Sequence, residues 1–299
     1  MKVLSLFDGI SCGMVALERA GITVDRYCAF EIEEKAIQVS KANYPAIEQF
    51  GDVIEADFTK FSGFDLLIGG SPCTYWSISK KNREITADGL GFKLFMQYKR
   101  ALEQSSCKYF LYENNSSIHQ EIQYEISDKL GVKPIEINSS LLSAQQRKRL
   151  YWTNITNVSI PQDKGITVES IIDGDTEENN LFEVTAFNEK QIKNYSNIPV
   201  RIGTIGKGGQ AERVYSIKGK SVNLIANGGG RGAKTGLYLI NDTVRKLSPL
   251  EAERLQTLPD NYTAAVTNGY RYKCIGNGWT VDVIAHIFTA LRPHNSQIL

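Results

Sequence analysis

Short apolar runs, each closing on an acid, an amide or a glycine, recur through the first half of the chain. Val3-Leu4-Ser5-Leu6-Phe7 reads as a buried strand. Tyr27-Cys28-Ala29-Phe30, Phe64-Asp65-Leu66-Leu67-Ile68, Tyr109-Phe110-Leu111-Tyr112 and Ile135-Glu136-Ile137-Asn138 repeat the form. Mostly continuous rather than alternating apolar character suits strands covered on both faces, as in a parallel sheet. Helical patterns separate them: Met14 to Ala20, stopped by Gly21; Glu34 to Asn43, stopped by Tyr44-Pro45; Lys93 to Ser105; and a stretch from about Ser117 to Lys129, stopped by Gly131. The alternation predicts an α/β, doubly wound sheet, whose ligands bind beyond the carboxyl ends of the strands.

The pattern degrades after about Ile160. Arg201 to Lys234 carries seven cations and one anion, a net +6, leaving the rest of a +1 chain at −5. Nine of its residues are glycine, and short alternating stretches such as Arg213-Val214-Tyr215-Ser216-Ile217 lie between them. The expectation is a small, loop-rich β subdomain with a basic face, in which Lys207, Arg213, Arg231 and Lys234 reach a nucleic-acid groove. Helical order returns at Arg245 to Gln256, with Ser248 as N-cap, Pro249 in the first position and Glu251 completing a capping box. An apolar helix runs from Val281 to Leu291.

Composition narrows the function. With 299 residues, 42% hydrophobic and 22% charged, the chain has the make-up of a soluble globular protein. A net charge of +1 excludes a polycation, so nucleic-acid contact must come from local patches. No apolar run reaches the roughly 18 residues of a membrane span, and the N-terminus lacks a signal peptide's apolar region. The five cysteines include no C-x-x-C pair, which points to a reducing, cytoplasmic setting without a zinc knuckle. Three histidines leave little room for a histidine-based triad or metal site.

Candidate chemistry gathers at the strand ends. Cys73 follows the fourth strand on Gly69-Gly70-Ser71-Pro72, where a proline-braced turn can lift a thiol into a cleft; a buried structural cysteine is the competing reading. After the first strand, Asp8-Gly9-Ile10-Ser11-Cys12-Gly13 opens a helix without the G-x-G-x-x-G phosphate fingerprint. Glu31, about twenty residues on, suits a ribose diol. Asp52, after a third strand, can accept from an exocyclic amine. Together these outline a pocket for a nucleoside without phosphates. Thr74 to Phe95 reads as a basic lid with Lys80, Lys81 and Arg83 and hinges at Gly89 and Gly91. Glu113 ends the fifth strand, where a carboxylic acid can hydrogen-bond a ring nitrogen; a helix-capping acid is the alternative. Arg147 and Arg149 fall on one face of an extended run, suited to a phosphate or a carbonyl. Gly276-Asn277-Gly278-Trp279 could line an aromatic nucleoside.

In order, Phe7-Asp8-Gly9, Glu31, Gly51-Asp52, Gly70-Ser71-Pro72-Cys73, Glu113-Asn114, Gln145 to Arg149, Arg245 to Pro259 and Gly276-Asn277 resemble the motifs of the DNA cytosine-5 methyltransferases, from Val3 to about Leu291. Ser71, Phe7 to Ile10, Val24 to Tyr27 and Trp279-Thr280-Val281 are most similar to Dnmt3-type catalytic domains and their bacterial and phage relatives. Thr74 and Asn115 depart from the family pattern. The resemblance implies a Rossmann-like class I S-adenosylmethionine-dependent methyltransferase sheet over residues 1–158, a target-recognition domain over 159–244 and a C-terminal segment, 245–299, returning to the catalytic domain. It implies Cys73, Glu113, Arg147 and Arg149 as catalytic residues. S-adenosyl-L-methionine, leaving as S-adenosyl-L-homocysteine, would be held by Phe7, Asp8, Gly9, Ile10, Ser11, Cys12, Glu31, Ile32, Asp52, Val53, Pro72, Asn277, Gly278 and Trp279. Double-stranded DNA is the implied partner of a monomer needing no metal. Two alternatives stay open on sequence alone: an RNA (tRNA) cytosine-5 methyltransferase and a catalytically silent DNA-binding relative.

Overall fold

The computed structural model describes residues 1–77, 82–174, 182, 186–187 and 195–292. The chain divides into two compact units. The first takes in Met1–Ile137, Lys148–Ile160 and the stretch from Ile284 onward; the second takes in Asn138–Arg147 and Pro161–Val283.

The first unit is built on strands β1 (Lys2–Leu6), β2 (Arg26–Phe30), β3 (Glu48–Gln49), β4 (Leu66–Gly69), β5 (Tyr109–Asn115), β6 (Ile135–Asn138) and β7 (Lys148–Thr153). They form one sheet in the order β3-β2-β1-β4-β5-β7-β6. The first five strands pair in parallel, and β7 runs antiparallel to β5. The order reverses between β1 and β4, the position at which such sheets open a crevice for ligands. Helices α1 (Cys12–Arg19), α2 (Glu34–Asn43), α3 (Leu90–Ser105) and α4 (Gln120–Leu130) belong to the same unit. Leu4, Leu6, Leu67, Tyr98, Tyr112 and Trp152 are fully buried among the side chains of its core. Each such side chain is worth roughly 1.5–3 kcal/mol relative to exposure.

Three expectations change here. The fifth strand runs on to Asn115, so Glu113 lies inside it; the ladder continues because Tyr151 and Arg149 of β7 pair with Glu113 and Asn115. This also removes the helix-capping reading of Glu113, since α4 starts at Gln120 with His119 as its N-cap. α3 begins at Leu90, so Gly91 is a helical residue and not a loop hinge. Its hydrogen side chain is required by packing, because a Cβ there would come within 2.7 Å of Trp76 Nε1.

The second unit carries strands β8 (Ala186–Phe187), β9 (Arg201–Thr204), β10 (Arg213–Ser216), β11 (Leu237–Ile240) and β12 (Thr243–Lys246), in the order β12-β11-β10-β9-β8. Helices α5 (Pro249–Leu255) and α6 (Asn268–Asn277) follow, and the chain re-enters the first unit within α7 (Val281–Thr289). The capping box forms as expected: Glu251 N–H donates to Ser248 Oγ at 3.2 Å, and Ser248 N–H donates to Glu251 Oε2 at 2.7 Å. Arg245, which lies in β12, adds a buried fork to the same carboxylate, 2.8 Å at each nitrogen.

Candidate active site

The loop between β1 and α1 is held in an uncommon conformation. Phe7, Gly9 and Ser11 have φ of 55°, 61° and 59°, so two of the three left-handed residues carry side chains. A left-handed residue with a side chain costs on the order of 1–3 kcal/mol and persists only where its surroundings impose it. Asp8 supplies part of that constraint. Its carboxylate accepts hydroxyl bonds from Ser5 at 2.6 Å, Ser11 at 2.5 Å and Tyr27 at 2.7 Å. Burial pushes its carboxyl above the ordinary range, and the three hydroxyls offset part of that shift. Ile10 and Cys12 are buried side chains, leaving their backbone as what they can offer a ligand.

Glu31, just beyond β2, closes over this loop. It accepts from the backbone N–H of Gly9, Ile32 and Glu33, each at 2.8 Å. Burial raises its pKa; the three amides act against burial, and the Asp8 charge adds to it. Two carboxylate oxygens offer about four lone-pair positions, so three amides leave acceptor capacity. Ile32 stands exposed beside it, while Asp52, also exposed, accepts from Ile54 N–H at 2.9 Å and Val53 is buried. Asp52 is also on the wall of a cavity of about 460 Å³ whose other sides include Phe30, Phe50, Phe61, Arg26 and Lys60. These residues fit a nucleoside without phosphates: acceptors for hydroxyls and an amine, and apolar surface for a base.

Cys73 opens a single 3₁₀ turn, Cys73–Tyr75, after Pro72. Its side chain is partly exposed, unlike Cys12, Cys28, Cys107 and Cys274, which are buried. The reading of Cys73 as a buried structural cysteine therefore falls. Its carbonyl accepts from Trp76 and Ser77 N–H, both at 3.0 Å. Asn114 Nδ2 donates to the carbonyl of Ser71 at 3.1 Å, tying the turn to β5. One residue away, Glu113 receives Arg149 Nε at 3.0 Å, with about a tenth of each side chain exposed.

Arg83, expected on a DNA-facing lid, donates to the carbonyl of Ser117 at 2.7 Å. Glu84 beside it accepts from Trp76 Nε1 at 3.2 Å and from the N–H groups of Leu90 and Gly91 at the start of α3. Both side chains thus anchor this part of the segment to the rest of the unit. Lys80 and Lys81 lie outside the described residues.

Arg147 and Arg149 have separate partners. Arg147 precedes β7 and belongs to the second unit, where it is 5% exposed. It donates to Asn223 Oδ1 and the carbonyls of Leu224, Gly276 and Gly278 at 3.0 to 3.2 Å. Alternation holds only in the strand itself, and Arg147 lies before it. Asn277 is the exposed last residue of α6, Gly278 caps that helix, and Trp279 is partly exposed. Of the seven cations from Arg201 to Lys234, Arg201, Lys207, Arg213 and Arg231 are exposed and Lys234 partly so. Lys218 pairs with Glu169, and Lys220 is buried, donating to the carbonyls of Ser140 and Ser143 at 2.6 and 3.1 Å. Neither of those two roles leaves a mark in the linear sequence. Among the described residues no cluster of histidine, cysteine, aspartate or glutamate is suited to a metal, and no helix is long and apolar enough to cross a membrane.

The sequence and the fold are similar to those of known proteins. A sequence model of the C-5 cytosine-specific DNA methylases matches residues 1–292. The chain is 28% identical over 310 residues to the type II methyltransferase M.HhaI of Haemophilus parahaemolyticus, covering 96% of this chain and 93% of that protein. It is 26% identical over 316 residues to the type II methyltransferase M.NlaX of Neisseria lactamica, covering 99% and 98%. Its fold is similar to that of the Entamoeba histolytica methyltransferase EhMeth, with a TM-score of 0.72 at 16% identity over 98% of this chain and 99% of that one. The family match over nearly the whole chain makes this protein a member of the C-5 cytosine-specific DNA methylase family and a DNA cytosine-5 methyltransferase.

Proposed function

We propose that the chain methylates carbon 5 of a cytosine flipped out of double-stranded DNA, within a specific sequence, through a covalent bond between Cys73 and carbon 6. The observation that carries this is the pairing of a partly exposed Cys73 turn, tied to β5, with the Glu113 carboxylate of β5, which Arg149 of β7 holds. Carbon 5 of cytosine is a poor nucleophile. Attack of the Cys73 thiolate on carbon 6 moves electron density onto carbon 5, and loss of the carbon 5 proton later expels the thiolate. Glu113 stabilises a proton at the ring N3 and accepts from the exocyclic amine. Arg149 orients Glu113. A base in the duplex cannot reach a thiol on a sheet edge, so the target must leave the stack.

S-adenosyl-L-methionine supplies the electrophilic methyl group when bound. Glu31 accepts from its ribose, Asp52 from its adenine amine, and Ile32 and Val53 offer apolar surface to the base. Phe7, Asp8, Gly9, Ile10, Ser11 and Cys12 frame the near wall largely through backbone, and Pro72 braces the turn beside it. Within the second unit, Arg147 holds the backbone around Asn277 through the carbonyls of Gly276 and Gly278. Lys207, Arg213, Arg231 and Lys234 contact phosphates and base edges of the target.

Cys73→Ser tests the reading. It should abolish methyl transfer and the covalent adduct with a duplex carrying 5-fluorocytosine, while S-adenosyl-L-methionine binding persists. Methyl transfer retained by Cys73→Ser would refute the assignment.

A further inference from the structure

Beyond the last rung of the β4–β5 ladder, Gly69 opposite Tyr112, the two chains part: β4 ends and β5 continues for three residues. Backbone pairing stops there, and side chains carry the connection onward. Ser71 Oγ lies 2.6 Å from Tyr112 Oη. Asn114 Nδ2 donates both to the Ser71 carbonyl at 3.1 Å and to Tyr112 Oη at 3.2 Å. All three are shut away from water, with Tyr112 0%, Asn114 1% and Ser71 3% exposed. The Tyr112 ring is fixed in turn by Tyr98 at 4.9 Å, Phe95 at 5.2 Å and Trp152 at 5.7 Å between centroids.

A phenol buried in that aromatic nest does not need its hydroxyl for packing; phenylalanine would fill the same volume. A buried hydroxyl is retained only where its hydrogen bonds are made, and a bond lost leaves its partner unsatisfied. The triangle therefore fixes a distance. Ser71 precedes Cys73 by two residues across the rigid Pro72, and Tyr112 directly precedes Glu113. What the hydroxyl pair holds constant is the separation between the strand bearing the acid and the turn bearing the thiol.

We propose that Tyr112 and Ser71 are positioning residues for methyl transfer, setting the reach from the Cys73 thiol to the base that Glu113 holds. This rests on the assignment of Cys73 and Glu113 given above. Displacement of a reacting group by about 1 Å costs on the order of 10²-fold in rate. The hydroxyl pair is buried and exposes nothing for a ligand to touch, so its loss should appear in the chemical step and not in binding.

Tyr112→Phe removes one oxygen and keeps the ring. In single-turnover methyl transfer with a duplex substrate, its rate constant should fall by about 10- to 100-fold, and the rate of adduct formation with a 5-fluorocytosine duplex should fall in parallel. The Kd for S-adenosyl-L-methionine should stay within about twofold of the unaltered protein, because both hydroxyls are buried away from any ligand surface. Ser71→Ala should show the same loss, Ser71→Thr should restore most of the rate, and Tyr112→Phe with Ser71→Ala should be no slower than either alone. A single-turnover rate for Tyr112→Phe within about twofold of the unaltered protein overturns the proposal. So does a lowered melting temperature with an unchanged rate well below it, which is what a purely structural hydroxyl pair would give. Should Tyr112→Phe not fold, the Ser71→Ala and Ser71→Thr pair decides alone. Cys73→Ser in the same assay separates the outcomes: if it retains methyl transfer, the underlying assignment fails, whatever Tyr112 does.

Discussion

Removing Arg149 should cost more stability than removing an ordinary surface arginine. Its Nε stands 3.0 Å from Glu113 Oε1, and the side chains are 13% and 11% exposed. At that distance two unit charges attract by roughly 5–6 kcal/mol with an effective dielectric constant near 20, most of which offsets the desolvation of both groups. Arg149→Ala withdraws the attraction and leaves the Glu113 carboxylate inside the protein without its cation. Breaking one side of such a pair costs roughly 3–5 kcal/mol when burial is complete, and the residual exposure sets the expectation at the low end, about 3 kcal/mol. The readout is the free energy of urea unfolding of the whole chain. Glu113→Gln, which removes the other charge while keeping the shape, should cost less, and the double variant should cost less than the sum of the singles. In the methyl-transfer assay both single variants should lose activity by about 10²-fold or more. An Arg149→Ala protein within about 0.5 kcal/mol of the original, the spread of an ordinary surface substitution, would refute the pairing on which this reasoning depends.

Further outcomes follow from the other sites. Glu31→Ala should weaken S-adenosyl-L-methionine binding in calorimetry by about tenfold or more, since it removes the ribose acceptor and the anchor of the Gly9, Ile32 and Glu33 amides; unchanged affinity would defeat the ribose assignment. Burial lifts the Glu31 carboxyl above its ordinary 4.5, so the folded chain holds that proton to higher pH than the unfolded one does. Its share of stability is therefore complete below about that value and is lost as pH rises through the folded pKa; unfolding free energies across pH should show a smaller loss for Glu31→Gln, and identical profiles would contradict this. Lys207→Ala, Arg213→Ala and Arg231→Ala should each flatten the salt dependence of DNA affinity by roughly one unit of slope, whereas Lys220→Met, altering a buried lysine, should not. Ser248→Ala should lower stability by about 1 kcal/mol in thermal unfolding through loss of the α5 cap.

Elements whose signal is local were legible in the sequence. α2 spans Glu34–Asn43 as its periodicity indicates, and the Ser248-Pro249-x-Glu251 box opens α5 because capping is decided within four residues. The parallel strands show in their continuous apolar runs. What failed depends on partners distant in sequence. The length of β5 is set by β7, so an apolar run ending at Tyr112 understates it by three residues. The alternation that joined Arg147 to Arg149 is not carried by a strand, because β7 starts at Lys148 and Arg147 lies before it. Arg83 read as a lid cation, and Lys220 counted toward the basic segment, because a side chain's partner, here a carbonyl 34 or about 80 residues away, is invisible to charge counting.

The candidate site divides along the same line. Which atoms could do chemistry was readable: a thiol after one strand, an acid on the next, acceptors after β2 and β3. How far apart they stand was not, because that distance is fixed by groups with no chemistry of their own. Gly69 and Tyr112 end the ladder, and from there the Ser71, Tyr112 and Asn114 side chains hold the turn against the strand. A sequence can name a nucleophile from its neighbours, but the reach of that nucleophile belongs to the core beneath it. Substitutions one layer below Cys73 and Glu113 should therefore change the rate of methyl transfer while the motif residues, and the affinity for the methyl donor, stay as they are.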